Sequence, residues 1–212
     1  MYLEQIKLGG NMKEQDHDRL LRIKTEGVRE WQHQSSHYNR YEATPYAALE
    51  ILFDSYEWRS TDRFVDFGCG KGRFPFYVYH HLHASAVGIE MNGQLYQEAM
   101  ENLASYMERA KSSRASIQFE HIFAEGYEID KEDNRFYFFN PFSLQIFKKV
   151  IDNILRSVED HPRSVDVILY YPTSEYSHFL EIQTVFELWK EIRLPDFYEE
   201  NNNERFLIFR LE

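Results

Sequence analysis

Apolar and polar residues follow two alternating patterns along most of this chain. Short apolar runs, typical of buried strands, lie at 63–67, 86–90, 116–123, 135–139 and 165–171. Between these runs, apolar residues recur every three or four positions, as on one helix face, at 74–82, 92–110 and 144–158. Strands that alternate with helices predict a parallel sheet covered by helices on both faces.

The last part of the chain departs from this alternation. Residues 185–194 and 205–211 are both strand-like, and only the polar stretch 195–204 separates them. A connection that short joins antiparallel strands, so the sheet should end in a hairpin. The pattern therefore predicts an α/β fold with a doubly wound, mostly parallel sheet of seven strands.

The beginning of the chain has no strong strand signal. Residues 14–31 have apolar side chains spaced as on one helical face, namely Leu20, Leu21, Ile23, Val28 and Trp31. A second helix is expected over 47–53, with Thr44 as its N-cap and Pro45 at its first position. We assign residues 1–44 to a helical cap or lid and residues 45–212 to the α/β domain.

Composition limits what such a domain can do. The chain has 212 residues, 17% of them aromatic, and a formal net charge of -11, which argues against sequence-independent nucleic-acid binding. Its one cysteine, Cys69, cannot form an intrachain disulfide, and no apolar run is long enough to span a bilayer. We expect no secretory leader, because no charged n-region with an apolar h-region opens the sequence. We expect a cytoplasmic protein without a membrane partner; the oligomeric state is left open.

The most informative stretch follows the first predicted strand and reads Asp66-Phe67-Gly68-Cys69-Gly70-Lys71-Gly72. A strand, a glycine-rich turn and a helix start bring backbone N–H groups close to a ligand, where a Cβ would not fit. Glu90 ends the next strand, and a carboxylate there can accept hydrogen bonds from both ribose hydroxyls. The pair favours a nucleoside-containing ligand over a purely structural turn.

The spacing of the glycines bears on which nucleoside-containing ligand is expected. It is G-x-G-x-G instead of the dinucleotide pattern G-x-G-x-x-G, and with Asp66 before it the stretch resembles class I S-adenosylmethionine-dependent methyltransferases. The resemblance implies that Asp66, Gly68, Cys69, Gly70 and Gly72 bind the methionine part of S-adenosyl-L-methionine, and that Glu90 binds its ribose. A Rossmann oxidoreductase is the competing reading of the fold, and the glycine spacing disfavours it.

A second motif follows the fourth strand. Asn140-Pro141-Phe142 is similar to the [N/D]-P-P-[Y/F] motif of methyltransferases that act on planar amino groups, with one proline missing. By that resemblance Asn140, Pro141 and Phe142 are catalytic: oxygens accept hydrogen bonds from the target nitrogen, the aromatic ring stacks on the target, and Asn140 also reaches the cofactor. The alternative is an ordinary Asn-Pro turn.

Three further segments complete the expected site. Phe123 stands where the family often has an acid that contacts adenine, so Phe123 and Ala124 are expected to hold the adenine, with Glu125 as the alternative. The stretch 41–46 is similar to a Thr-Pro segment that covers the cofactor in related amino methyltransferases, which makes Tyr41 and Tyr46 candidate substrate contacts; a capped helix is the alternative. Tyr171 ends the fifth strand and is either a substrate contact or a strand end.

The histidines do not suggest a metal site. His80, His81 and His83 have no cysteine or acid at metal-ligand spacing, so no metal is expected. The function expected from the resemblance is transfer of a methyl group from S-adenosyl-L-methionine to an unidentified acceptor. A planar amino or amide nitrogen of a protein, an RNA or a small molecule is the candidate target, and a non-catalytic cofactor-binding module is the alternative.

Overall fold

The computed structural model describes residues 12–27, 39, 41–108, 115–195 and 197–212. The helices are α1 (Glu14–Leu21), α2 (Tyr46–Ser55), α3 (Arg73–Tyr77), α4 (Gly93–Met107), α5 (Leu144–Asp160) and α6 (Ser174–Gln183). The strands are β1 (Arg63–Phe67), β2 (Ser85–Ile89), β3 (Ile117–Glu120), β4 (Arg135–Phe138), β5 (Val165–Tyr170), β6 (Glu187–Arg193) and β7 (Arg205–Leu211). They form one sheet in the order β3-β2-β1-β4-β5-β7-β6.

The first five strands are parallel, and β7 pairs antiparallel with both β5 and β6. This confirms the predicted fold class, a seven-stranded and mostly parallel sheet that ends in a hairpin. From β1 the chain moves outward to β2 and β3 and returns to β4 on the other side of β1. The strand order therefore reverses between β1 and β4, and ligands of open α/β sheets bind beyond the carboxyl ends of the strands at such a point.

The core has two halves, one on each face of the sheet. On one face, Leu21 and Ile23 from the N-terminal region join the apolar residues of α2, α3 and α4. On the other face, α5 and α6 cover residues such as Val65 and Phe136. Strands buried on both faces explain why the central runs of the sequence are continuously apolar.

Two predictions for the N-terminal region were wrong. The first helix ends at Leu21, because Arg22 adopts φ 56 and stops it; Val28 and Trp31, placed on the same helical face, lie outside the described residues. Thr44 does not cap the second helix, whose N-cap position is Pro45. The Thr44 hydroxyl instead makes a buried 2.7 Å hydrogen bond with the hydroxyl of Tyr137.

Other elements differ in extent. The helix expected over 74–82 begins as α3 and continues as a π-helical turn, Val78–Leu82. The helix α6 did not emerge from the pattern of polar and apolar residues; its N-cap Thr173 accepts a hydrogen bond from the Tyr176 amide. The division of the chain into a cap and a domain stays a prediction.

Candidate functional site

The glycine turn between β1 and α3 is bent tightly against the neighbouring elements. The amides of Gly68 and Cys69 both donate to the Ile89 carbonyl, over 2.9 and 3.1 Å, which fixes the turn beside β2. Gly68 has φ 82, and a Cβ there would lie 2.5 Å from the Cβ of Pro141. Gly70 has φ 55 and lies against the Tyr41 ring. Both positions require glycine for their backbone angle and for space.

Glu90 is fixed by backbone donors at the end of β2. Its carboxylate accepts hydrogen bonds from the amides of Gly70, at 2.9 Å, and of Asn92, at 2.7 Å. Burial raises the pKa of Glu90, and these backbone bonds oppose the rise. Two carboxylate oxygens offer about four acceptor sites, so the group can still accept hydrogen bonds from a ligand.

Asp66 is a buried carboxylate that lacks a cation. Asp66 is 5% exposed, and its carboxylate makes no ion pair or hydrogen bond within the described part of the chain. Burial raises the pKa of Asp66 well above its ordinary value, and the nearby Glu90 carboxylate raises it further. An isolated buried carboxylate is costly unless a cation or donor joins it, so Asp66 is suited to bind a cationic group of a ligand.

The loop after β4 lies directly beside the glycine turn. Asn140 has φ 43, an uncommon angle for a residue other than glycine, and Pro141 contacts Gly68. Asn39 donates to two carbonyls of this loop, from its Nδ2 to that of Asn140 at 2.7 Å and from its backbone amide to that of Pro141 at 3.0 Å. Two backbone carbonyls there can therefore accept hydrogen bonds from nitrogen donors.

Phe142 is not positioned as the resemblance implied. The side chain is 2% exposed and packs in the core beneath α5 and α6, edge-on to Phe138 with ring centroids 6.1 Å apart. Its carbonyl accepts a hydrogen bond from the Tyr176 hydroxyl. A ligand cannot stack on a ring that is buried in the core, so the structure corrects the expected stacking role of Phe142.

The strands on either side contribute the outer parts of the site. Phe123 is 59% exposed and Ala124 is buried, and both follow β3 at the same edge as Glu90. Tyr171 follows β5 with φ 50, and its hydroxyl accepts a hydrogen bond from Asn201 Nδ2 at 2.7 Å. Non-glycine residues with positive φ cluster at functional sites, and here two of them end neighbouring strands.

The two tyrosines of the N-terminal stretch differ in position. Tyr41 lies on the glycine turn, and its hydroxyl donates to the Thr25 carbonyl at 2.6 Å. Tyr46 is fully buried, stacks on His17 and donates to Asp18 at 2.7 Å. Tyr46 therefore belongs to the core in this structure and not to a substrate surface, which corrects its expected role.

Arg73, which sequence reasoning missed, connects the turn to the N-terminal region. It is 4% exposed and hydrogen-bonded to Thr25 Oγ1 at 2.7 Å, to the Thr44 carbonyl at 3.0 Å and to Glu14. Its guanidinium also lies 4.3 Å from the ring centroid of Tyr46. A lone arginine at the start of an apolar run was the available signal, because arginine is rarely buried without partners.

The space at the centre of the site is small. A cavity of about 20 Å³ lies between the N-terminal stretch and the ends of β1 and β4, bordered by Tyr41, Asp66, Gly68 and Phe139. This is room for about one water molecule, whereas pockets for small molecules measure roughly 300 to 1,000 Å³. The chemistry of Asp66 and Glu90 fits a nucleoside with a cationic end, but the conformation shown is closed.

Neither a metal site nor a membrane-spanning helix is found among the described residues. Among the described residues, no group of three or more histidine, cysteine or acidic side chains could hold a metal ion. Nor does any helix in those ranges combine the length and apolarity needed to cross a bilayer. Cys69 is buried inside the turn, and burial raises the pKa of its thiol well above the usual range.

No protein-family model and no curated protein matches this sequence. Solved structures do match. An RNA methyltransferase from Salinibacter ruber, in complex with S-adenosyl-L-homocysteine, has a TM-score of 0.50 at 14% identity over 80% of this chain and 92% of its own. A putative methyltransferase from Escherichia coli has a TM-score of 0.57 at 13% identity, with 81% and 89% covered.

A third match is larger than this chain. The Pyrococcus abyssi tRNA (uracil-54, C5)-methyltransferase, also in complex with S-adenosyl-L-homocysteine, has a TM-score of 0.53 at 11% identity, and the match covers 81% of this chain but 40% of that protein. At such identities the likeness establishes the fold alone. The chain has the Rossmann-like fold of these methyltransferases.

Proposed function

We propose that this protein is an S-adenosyl-L-methionine-dependent methyltransferase. The observation that carries the proposal is the arrangement at the switch point: the buried Asp66 carboxylate has no cation among the described residues, and it adjoins the glycine turn and Glu90. Such a site is complementary to a nucleoside with a positively charged end. The solved structures of the same fold support the choice of cofactor, because two of them contain S-adenosyl-L-homocysteine.

Each side chain of the site then has a defined task. Asp66 binds the ammonium group of the methionine part, and the rest of it lies along the backbone of the glycine turn, whose Gly68, Cys69 and Gly70 amides are already bonded to Ile89 and Glu90. Glu90 accepts hydrogen bonds from the ribose hydroxyls with the acceptor sites that Gly70 and Asn92 leave free. Phe123 and Ala124 border the adenine, since they follow the strand next to β2. When bound, the cofactor supplies an electrophilic methyl group.

The acceptor nitrogen is held by the loop after β4. The carbonyls of Asn140 and Pro141 bind N–H donors of Asn39 in this structure, which supports a role for them as acceptors of hydrogen bonds from a planar amine or amide. The partly buried Phe139 begins this loop, its ring centroid lies 6.4 Å from that of Tyr171, and the two rings offer aromatic surface to a planar group. Methyl transfer needs in-line alignment and exclusion of water more than a strong base, and the loop supplies positioning.

The acceptor class to test first is RNA. Two of the structurally similar proteins are RNA methyltransferases by name, although that likeness extends to the fold alone. The formal net charge of -11 opposes sequence-independent RNA binding, so an RNA acceptor would have to be recognised locally. A protein amide is the second candidate, because the donor held by Asn140 in this structure is itself a carboxamide.

The proposal is tested by methyl transfer to fractionated cell extract. The protein is incubated with S-adenosyl-L-methionine carrying a labelled methyl group and with separate RNA, protein and small-molecule fractions. We expect label in one fraction, and loss of more than about nine-tenths of it with Asn140→Pro, which cannot adopt φ 43. Glu199→Ala, an exposed substitution in the hairpin loop, is the matched control. Cofactor binding without transfer to any fraction would favour the binding module instead.

A further inference from the structure

We propose that Asn39 together with residues 41–44, here called the strap, is an autoinhibitory element. In the structure the strap takes the place of both reactants, and it must move away before cofactor and acceptor can enter. This inference rests on the proposed function, since it concerns access to the same site. It differs from the expected lid, which would close over a bound cofactor and strengthen its binding.

On the cofactor side, the strap blocks the glycine turn. The ring of Tyr41 lies against Gly70 so closely that no Cβ would fit between them, and Tyr41 is 7% exposed. Its hydroxyl is tied to the Thr25 carbonyl, and Lys71 Nζ lies 5.2 Å from the ring centroid. The face of the turn that should receive the cofactor is therefore in contact with an aromatic ring of the chain itself.

On the acceptor side, the strap occupies hydrogen-bond acceptors of the loop after β4. Asn39 donates from its side-chain amide to the Asn140 carbonyl and from its backbone amide to the Pro141 carbonyl. These are N–H donors of the kind that an acceptor nitrogen would present. An acceptor that uses the same carbonyls competes directly with Asn39.

The base of the strap is anchored to the site. The Thr44 hydroxyl is bonded to Tyr137 on β4, and its carbonyl accepts from Arg73, the residue that follows the glycine turn. Arg73 also binds Thr25 Oγ1, and the Tyr41 hydroxyl binds the carbonyl of the same Thr25. Tyr41 and Thr44 are thus held by one buried network, and the cavity left beneath them is about 20 Å³.

The hydrogen bonds of the strap differ in how readily they break. Asn39 is exposed, so water can replace its two hydrogen bonds without disturbing the core. Thr44 is buried and bonded on both sides. The strap should therefore open by releasing Asn39 and Tyr41 while Thr44 holds, with no unfolding of α2.

The single cysteine of the chain can report this opening. Cys69 lies inside the glycine turn, borders the cavity under the strap and is 6% exposed. A thiol reagent should modify it slowly in the wild type. We expect Tyr41→Ala to raise the labelling rate by about tenfold or more, and Asn39→Ala to raise it by about threefold. Tyr198→Ala, in the hairpin loop, is the matched control and should label like the wild type.

Asn39→Ala keeps the test decisive if Tyr41→Ala folds poorly, because Asn39 is exposed and contributes nothing to the core. All variants are compared under conditions where their unfolding midpoints in urea show more than 99% folded protein. Equal labelling rates in the wild type, Tyr41→Ala and Asn39→Ala would overturn the strap as the barrier to the turn.

The second readout is affinity for S-adenosyl-L-homocysteine, measured by calorimetry on the full chain. If the strap competes with the cofactor, Tyr41→Ala should bind about tenfold more tightly than the wild type. Tighter binding supports the proposal, and unchanged or weaker binding overturns it, because a tyrosine that covers bound cofactor would lose affinity on truncation. If no variant binds the compound, the proposed function fails, and the Cys69 labelling still decides whether the strap occludes the turn.

Discussion

Buried carboxylates at the two ends of the parallel sheet differ in whether they have charged or hydrogen-bonding partners. At the amino end, Asp166 is fully buried and accepts two hydrogen bonds from Arg210, at 2.8 and 2.9 Å, and another from the Tyr56 hydroxyl. At the carboxyl end, Asp66 is buried to a similar degree but has neither a cation nor a donor among the described residues. The same residue type thus has its charge compensated at one end and left uncompensated at the other.

Further residues follow the same division. At the amino end, Arg63 pairs with the buried Asp133 at 2.8 Å, and Arg135 pairs with the buried Asp62 at 3.3 Å. At the carboxyl end, the main cation, Arg73, binds the N-terminal region and not Asp66. The ion pairs of the amino end hold the fold together, while the carboxyl end keeps a buried carboxyl group that has no cation among the described residues and that a ligand can pair.

The largest expected effect is at the amino end. Asp166→Ala leaves Arg210 and the Tyr56 hydroxyl without their partner, and breaking a buried ion pair in this way costs about 3 to 5 kcal/mol of the free energy of unfolding. Urea denaturation measures this loss. Asp152→Ala, an exposed position on α5, should change the free energy by less than about 0.5 kcal/mol. At temperatures where it is folded, Asp166→Ala should keep its affinity for S-adenosyl-L-homocysteine.

At the carboxyl end the expected effects are reversed. Asp66→Asn removes a buried carboxyl group whose ionised form is disfavoured by burial, so stability at neutral pH should stay the same or rise by about 1 kcal/mol. Affinity for S-adenosyl-L-homocysteine should fall about ten- to a hundredfold, because a charged hydrogen bond to its ammonium group is lost. A large loss of stability with unchanged affinity would mean that both ends of the sheet are structural.

The smallest effect is the pH dependence of stability that Asp66 causes. Since its pKa is raised on folding, the native state retains a proton that the unfolded chain has released. Its contribution to stability is therefore present below about pH 4 and is lost as the pH rises towards the raised pKa. Burial also raises the pKa of Asp133, to about 6, so Asp133 makes stability fall with rising pH in the same way. This effect is present in both the wild type and Asp66→Asn. The difference between wild type and Asp66→Asn should isolate Asp66, with the variant gaining relative stability as pH increases.

The sequence was sufficient for the parts of the molecule that local rules determine. The sheet and its terminal hairpin followed from the alternation of apolar runs and from the short connection after residue 194. The glycine turn and Glu90 could be placed together because the carboxyl ends of adjacent parallel strands meet at one edge, and the structure joins them through the Gly70 amide.

The remaining parts depend on contacts between residues far apart in sequence. The hydrogen bonds of Arg73 with Glu14, Thr25 and Thr44 span tens of positions, and periodicity carries no information on them. The direction of a side chain could not be predicted from the sequence either. Phe142 is part of the motif at the site, yet its ring packs in the core. Tyr46 is also buried instead of lying at the site, and its hydroxyl donates a buried hydrogen bond to Asp18.

The central claim is that the uncompensated end of the sheet binds a nucleoside with a cationic end. Calorimetry on the wild-type protein with S-adenosyl-L-methionine, S-adenosyl-L-homocysteine and NAD tests it most directly. We expect saturable binding of the first two compounds and none of NAD, because the G-x-G-x-G turn places Asp66 where a pyrophosphate would be repelled. Binding of NAD in preference to both methionine-derived compounds would contradict it.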